Sequence, residues 1–143
     1  MSEKQIETTL PDQSGCIVKE LRPSEAWDLV CRHQPESQPE EVQADARGLV
    51  ILDVRTAQEF SMNHLKGAIN LDLKSPSFSE LISGLDKKKA YLVYCRTGIR
   101  SSRAVLLMSD LGFRELYSLV GGISRWHGDG FEVIFGSSPR TSS

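Results

Sequence analysis

The chain is poor in several things that whole classes of protein depend on. It has three cysteines, Cys16, Cys31 and Cys95, an odd number with no Cys-x-x-Cys spacing. That argues against a disulfide framework and a thioredoxin-type dithiol, and it leaves at least one thiol free. No window approaches the roughly 18 apolar residues of a membrane span. Met1-Ser2-Glu3-Lys4-Gln5-Ile6-Glu7 lacks the apolar core of a signal peptide, so a cytoplasmic location is the expectation. The formal net charge of −2 gives no general attraction to nucleic acid or an anionic membrane. Cys31 and His33 share a Cys-x-His spacing, but no second ligand pair lies nearby, and no metal site is expected.

What is present is ordinary for one globular domain with a single core: 143 residues, 39% hydrophobic and 25% charged. Three segments are expected: a flexible leader over 1–15, a folded domain over 16–135 and a flexible tail over 136–143. Within the domain, apolar runs alternate with amphipathic ones. Ile17-Val18 reads as a strand, and Pro23 to Val30 as a helix capped by Ser24, with Trp27 in the core. Arg32 to Arg47 turns to Pro, Gln and Glu and reads as a loop or short helical excursion. Leu49-Val50-Ile51-Leu52 is the continuous apolar run of a strand buried on both faces, with Asp53-Val54-Arg55 at its C-terminal end.

Thr56-Ala57-Gln58-Glu59 has the form of a capping box opening a short helix to about Asn63. Gly67 to Leu71 reads as a short strand, and Ser77 to Ile82 as a helix stopped by Gly84. Lys87-Lys88-Lys89 reads as a solvated turn. Ala90 to Tyr94 is again a strand, and Glu115 to Val120 another; Gly121-Gly122 then turns into a last amphipathic segment with Ile123 and Trp126. This alternation predicts an α/β fold with a mainly parallel five-stranded sheet flanked by helices on both faces. In such folds ligands bind at the C-terminal strand ends, where Asp53 to Arg55 and Cys95 both fall.

Cys95 is the residue to which the chemistry points. It closes a strand and is followed by Arg96-Thr97-Gly98-Ile99-Arg100, which lead into a helical pattern capped by Ser101. Backbone N–H groups at a helix N-terminus have no intrahelical partner and, with the helix dipole, favour an anion. Arg96 and Arg100 add positive charge, and Gly98 allows the positive φ that turns consecutive N–H groups inward. A buried core thiol is the plain alternative, but two arginines and a glycine beside the sulfur make an electropositive environment suited to a reactive thiolate.

On this evidence the chain resembles the single-domain rhodaneses. The resemblance rests on Leu52-Asp53-Val54-Arg55, Glu59-Phe60, His64-Leu65-Lys66-Gly67-Ala68-Ile69-Asn70, Tyr94-Cys95 with its loop, and Val120-Gly121-Gly122-Ile123 with Trp126, over about Ile17 to Val133. It implies a sulfurtransferase in which Cys95 takes sulfur from a small anionic donor such as thiosulfate and passes it, as a persulfide, to a thiophilic acceptor. That acceptor would be cyanide in vitro and an unidentified thiol or protein in the cell. No cofactor is implied. Arg55 and the loop residues Arg96, Thr97, Gly98, Ile99 and Arg100 correspond to donor-binding positions, and Arg96 to thiosulfate-using members. Asp53 and Ser101 would support the site. His64 is expected to stabilise a turn rather than to act as a base. Two departures from the family pattern, Asn63 for Gly and Phe60 for Tyr, are expected to lie outside the chemistry.

Other readings remain. A sulfur-carrying or regulatory module would form the persulfide without turnover. A cysteine phosphatase or arsenate reductase needs Cys-x5-Arg, whereas Ser101 occupies the required position and Arg100 comes one residue early. A redox sensor pairing Cys95 with Cys16 or Cys31 is the third.

Overall fold

A computed structural model describes residues 16–33 and 48–136. In chain order they form β1 (Ile17–Leu21), α1 (Pro23–Arg32), β2 (Leu49–Asp53), α2 (Ala57–Met62), β3 (Asn63–His64) and β4 (Ile69–Asn70). There follow α3 (Phe78–Ser83), β5 (Ala90–Tyr94), α4 (Ile99–Asp110), β6 (Glu115–Leu119), α5 (Gly122–Gly128) and β7 (Ile134–Phe135). The strand order is β1-β6-β5-β2-β4 and every pairing in this sheet is parallel. This is the α/β architecture with a five-stranded parallel sheet that the alternation predicts. β3 and β7 form a separate antiparallel pair. The leader 1–15, nearly all of the tail and the stretch from residue 34 to Arg47 lie outside the described residues.

The middle of the sheet explains the apolar runs. All five residues of β5 are buried, and their alternation sends successive side chains to opposite layers. Tyr91 and Val93 join Leu52, Val54, Phe78, Ile82, Met108 and Leu116 beneath α3 and α4. Leu92 and Tyr94 join Ala26, Leu65, Leu119, Ile123 and Trp126 beneath α1 and α5. β1 lies at an edge, and four of its five residues are exposed.

Local signals act as expected at α2, where Thr56 Oγ1 accepts from Glu59 N–H and Glu59 Oε1 accepts from Thr56 N–H. At α1 the expectation is corrected. Ser24 is not the cap, because Pro23 occupies the first helical position, and Arg22 is the capping residue with its N–H held by Glu25 at 2.8 Å. Trp27 is also less enclosed than expected. It touches Trp126 and Phe131, yet is 39% exposed and borders a cavity of about 700 Å³.

Register places the chemistry. Asp53 lies opposite Tyr94 at the C-terminal ends of β2 and β5, so Arg55 and Cys95 emerge at the same edge of the sheet.

Candidate active site

The loop after β5 is built around the sulfur. Cys95 is 1% exposed, and its Sγ accepts hydrogen bonds from the backbone N–H of Gly98 at 3.0 Å and of Ser101 at 3.4 Å. Gly98 has φ 106°, a conformation that turns its N–H toward the sulfur, and a Cβ there would lie 3.3 Å from Gly121 N. Only glycine combines the dihedral with the space.

The helix begins earlier than the sequence pattern indicates. Gly98 is the capping residue and α4 runs from Ile99, so Ser101 sits inside the first turn rather than capping it. Fully buried, its hydroxyl donates to Gly98 O at 3.1 Å and lies 3.8 Å from Cys95 Sγ.

A second helix terminus holds the loop from behind. Ile123 N–H donates to Cys95 O at 2.9 Å and Ser124 N–H to Arg96 O at 3.1 Å. With these carbonyls drawn toward α5, the loop keeps N–H groups facing the sulfur. Gly122 is what allows the approach: its φ is 62°, and a Cβ there would collide with the carbonyls of Cys95 and Arg96.

The arginines do not form one ring of free cations. Arg100 is paired fork to fork with Glu59, Nη1 to Oε1 at 2.9 Å and Nη2 to Oε2 at 3.1 Å. It therefore ties α4 to α2 instead of standing as a spare charge beside the sulfur. Arg55 is 3% exposed and clasped by Asp53, with Nε 3.1 Å from each carboxylate oxygen and Nη2 2.8 Å from Oδ2. Burial alone would weaken its charge, but the hydrogen bonds and charge of Asp53 outweigh that and raise its pKa. Arg96 is exposed, as are Thr97 and Ile99, the last at 73%.

Asn63 is not outside this network. Its Oδ1 accepts from Arg55 Nη1 at 3.1 Å and its carbonyl accepts from Nη2. Asn70, which no sequence motif singles out, donates through Nδ2 to the carbonyls of Asp53 at 3.0 Å and Arg55 at 2.9 Å. Tyr94 Oη accepts from Leu65 N–H at 3.0 Å. Burial, followed by the charge of Asp53, pushes its phenol far above the ordinary range, so it stays neutral. His64 stacks on Phe60 with centroids 4.1 Å apart. Its Nδ1 lies 3.0 Å from Phe60 O, an acceptor, so Nδ1 carries the proton in this turn.

Next to the loop lies a cavity of about 310 Å³ bordered by Arg55, Glu59, Asn63, Arg96, Ser124 and His127. His127 and Ser124 are additions that sequence reading does not supply; both depend on how α5 meets the loop. No group of three or more His, Cys, Asp or Glu positioned for a metal occurs among the described residues.

The Glu59–Arg100 pair predicts an acid response. Hydrogen bonding to Arg100 is the main cause that holds the Glu59 carboxyl at about 2 instead of the ordinary 4.5. A carboxylate depressed in the folded state contributes stability above its unfolded value and loses it as pH falls through the folded value. The window is therefore from about 4.5 down to about 2. The two side chains are 23% and 27% exposed, so screening cuts the contribution to about 1–2 kcal/mol. Urea unfolding across that window is expected to show wild type converging on Glu59→Gln as pH falls, with the gap largest near neutrality. A constant gap at every pH would contradict the pairing.

A parallel α/β sheet carrying a cysteine in a backbone N–H cradle defines a class of anion-handling cysteine protein, and comparison with known proteins narrows it. Residues 38–129 match the model of the rhodanese-like domain family, and the chain belongs to that family. It is 34% identical over 111 residues to the thiosulfate sulfurtransferase GlpE of Coxiella burnetii, covering 77% of this chain and 88% of that protein. With the GlpE protein of Pseudomonas savastanoi pv. phaseolicola it shares 36% over 89 residues, 62% of this chain and 82% of the relative. These relatives are sulfurtransferases by name. A rhodanese-related protein from Thermoplasma volcanium has the same fold, with TM-score 0.64 and 23% identity over 81% of this chain and 97% of that one. An E. coli rhodanese solved with anions aligns with TM-score 0.51 and 26% identity over 62% of this chain and all of the other.

Proposed function

We propose that the protein is a thiosulfate sulfurtransferase that works through a persulfide on Cys95. The observation that carries the reading is the pair of N–H donors, from Gly98 and Ser101, on Cys95 Sγ. Donors fixed in this way stabilise sulfur as an anion without a general base beside it. The Cys95 thiolate attacks the outer sulfur of thiosulfate, the bond between the two thiosulfate sulfurs breaks, and sulfite leaves with the electron pair. The new Cys95 persulfide is an anion in the same cradle. A nucleophile, cyanide in vitro or a thiol in the cell, then takes the outer sulfur and releases the Cys95 thiolate. Catalysis is covalent and ping-pong, and no metal or organic cofactor takes part.

Arg96, exposed at the 310 Å³ cavity, is the cation offered to the donor. Arg55 borders the same space but already makes its main pairing with Asp53, so its part is to set the positive potential of the wall. The family names of the relatives support the choice of thiosulfate. A cysteine phosphatase is disfavoured by the loop itself, since its closing arginine is replaced by Ser101 and Arg100 is committed to Glu59. We place the folded domain at 16–135, with a leader and a tail outside it, and the protein in the cytoplasm. No helix among the described residues is long and apolar enough to cross a membrane.

Intact-mass spectrometry after incubation with thiosulfate tests the reading. The expected result is a gain of one sulfur atom, mapped by peptide analysis to Cys95 and lost on adding cyanide, with thiocyanate released. Hydrolysis of a phosphate monoester without sulfur loading would overturn it. Loading without thiocyanate release would replace the enzyme by a sulfur carrier.

A further inference from the structure

We propose that Ser118 is a positioning residue for Cys95, acting through the hydroxyl of Ser101 and favouring the negatively charged sulfur. The inference rests on the reading of Cys95 as the sulfur-carrying nucleophile and adds to it a residue outside the loop. Ser118 lies in β6 and faces the same side as Leu116, two residues before it. Leu116 is fully buried and Ser118 is 2% exposed. A hydroxyl in such a place costs free energy unless it is bonded. Its side-chain partner is Ser101 Oγ, 2.9 Å away, and Ser101 Oγ is the atom that lies 3.8 Å from Cys95 Sγ.

The directions of these bonds follow from what each atom can do. Gly98 O only accepts, so with Cys95 as a neutral thiol the Ser101 proton points to that carbonyl. Ser118 then donates to Ser101, and the Cys95 S–H uses the remaining lone pair. When Cys95 gives its proton to solvent, the sulfur has nothing to donate and needs donors. The Ser101 hydroxyl turns to it, while Ser102 Oγ continues to donate to Gly98 O at 2.9 Å. Ser118 keeps donating to Ser101 in both states. In the first it makes Ser101 Oγ, already accepting one bond, a weaker acceptor for the thiol, and in the second it polarises the O–H that serves the anion. Both effects favour the thiolate.

The charged groups around the sulfur come from other elements. They are Arg100 on α4 with Glu59 on α2, Asp53 and Arg55 at the end of β2, Arg96 in the loop, and His127 of α5 across the cavity. Neutral Tyr94 precedes Cys95 on β5. Replacing Ser118 leaves all of them in place.

The test follows the rate of Cys95 alkylation by iodoacetamide across pH, resolved by peptide mass spectrometry so that Cys16 and Cys31 do not interfere. Ser118→Ala is expected to displace the profile toward higher pH, by about threefold to tenfold in proton concentration at half-maximal rate. In a Ser101→Ala background the same substitution is expected to add nothing, because the link is already cut. The isosteric pair Ser118→Thr and Ser118→Val separates the hydroxyl from the shape: Thr follows wild type and Val follows Ala. A profile unmoved in a folded Ser118→Ala or Ser118→Val protein, equal shifts in both backgrounds, or a Cys95 that does not alkylate overturns the proposal. Alkylation needs no sulfur transfer. Absence of thiosulfate turnover with the shift present would sink the sulfurtransferase reading alone, and normal turnover with an unmoved profile would sink this one alone.

Discussion

Cys95→Ser is expected to reduce thiocyanate release from thiosulfate and cyanide to background, a loss of at least about a thousandfold. A serine hydroxyl is not ionised near neutrality and forms no persulfide, so the first half-reaction has no nucleophile. The substitution is conservative in every other respect. The position is 1% exposed and receives the N–H groups of Gly98 and Ser101, which a serine oxygen also accepts. The thermal midpoint is accordingly expected to stay within a few degrees of wild type. Thiosulfate incubation of the variant should leave its mass unchanged. Retained turnover, or sulfur loading on Cys16 or Cys31 in its place, would show that the chemistry lies elsewhere.

Asp53→Ala is expected to carry the largest cost in stability, about 3–5 kcal/mol, because it strands the Arg55 guanidinium in a site where that side chain is only 4% exposed. Asp53 accepts from Arg55 through its backbone N–H at 2.9 Å as well as through the guanidinium, so the turn after β2 loses its organiser at the same time. Since a domain of this size has about 5–15 kcal/mol in total, much of the margin goes. Urea unfolding should show a large drop in midpoint. The double substitution Asp53→Leu with Arg55→Met, which removes both charges together, should recover most of it. A single-variant loss under about 1 kcal/mol would mean that the pair does not hold the wall of the site. Activity should fall in both variants, since the first leaves Arg55 beside the cavity without the carboxylate that clasps it and the second takes Arg55 away from Asn63 and the cavity.

These outcomes divide the site by how it could be read. Cys95 was legible because its signal is local: an apolar strand, then arginines and a glycine, then a helix. Gly121-Gly122 was legible as a turn, and Thr56 with Glu59 as a capping box. Each of these depends on neighbours a few residues away. The partners of the arginines were not legible. Nothing in the chain says that Arg100 closes on Glu59, 41 residues earlier, or that Asn63 would accept from Arg55 rather than stand aside from the network. Asn70 falls to the same limit. Ser118 did leave a trace, a hydroxyl on the buried face of a strand where alternation calls for an apolar side chain, but its meaning needs Ser101, on the helix packed against that same face.

By itself the sequence determined the alternation of strands and helices, the parallel five-stranded sheet that follows from it, and the placement of a cysteine at a strand end before a helix. The period of the apolar residues and the conformational range of glycine are properties of short segments, and they act wherever the chain goes. Tertiary structure alone decided which cations remain free, which are spent on Glu59 and Asp53, and where helix α4 starts. Those choices depend on which side chains the register of β2, β5 and β6 brings within hydrogen-bond reach, and on burial, which makes an unpaired charge or hydroxyl too costly to leave alone.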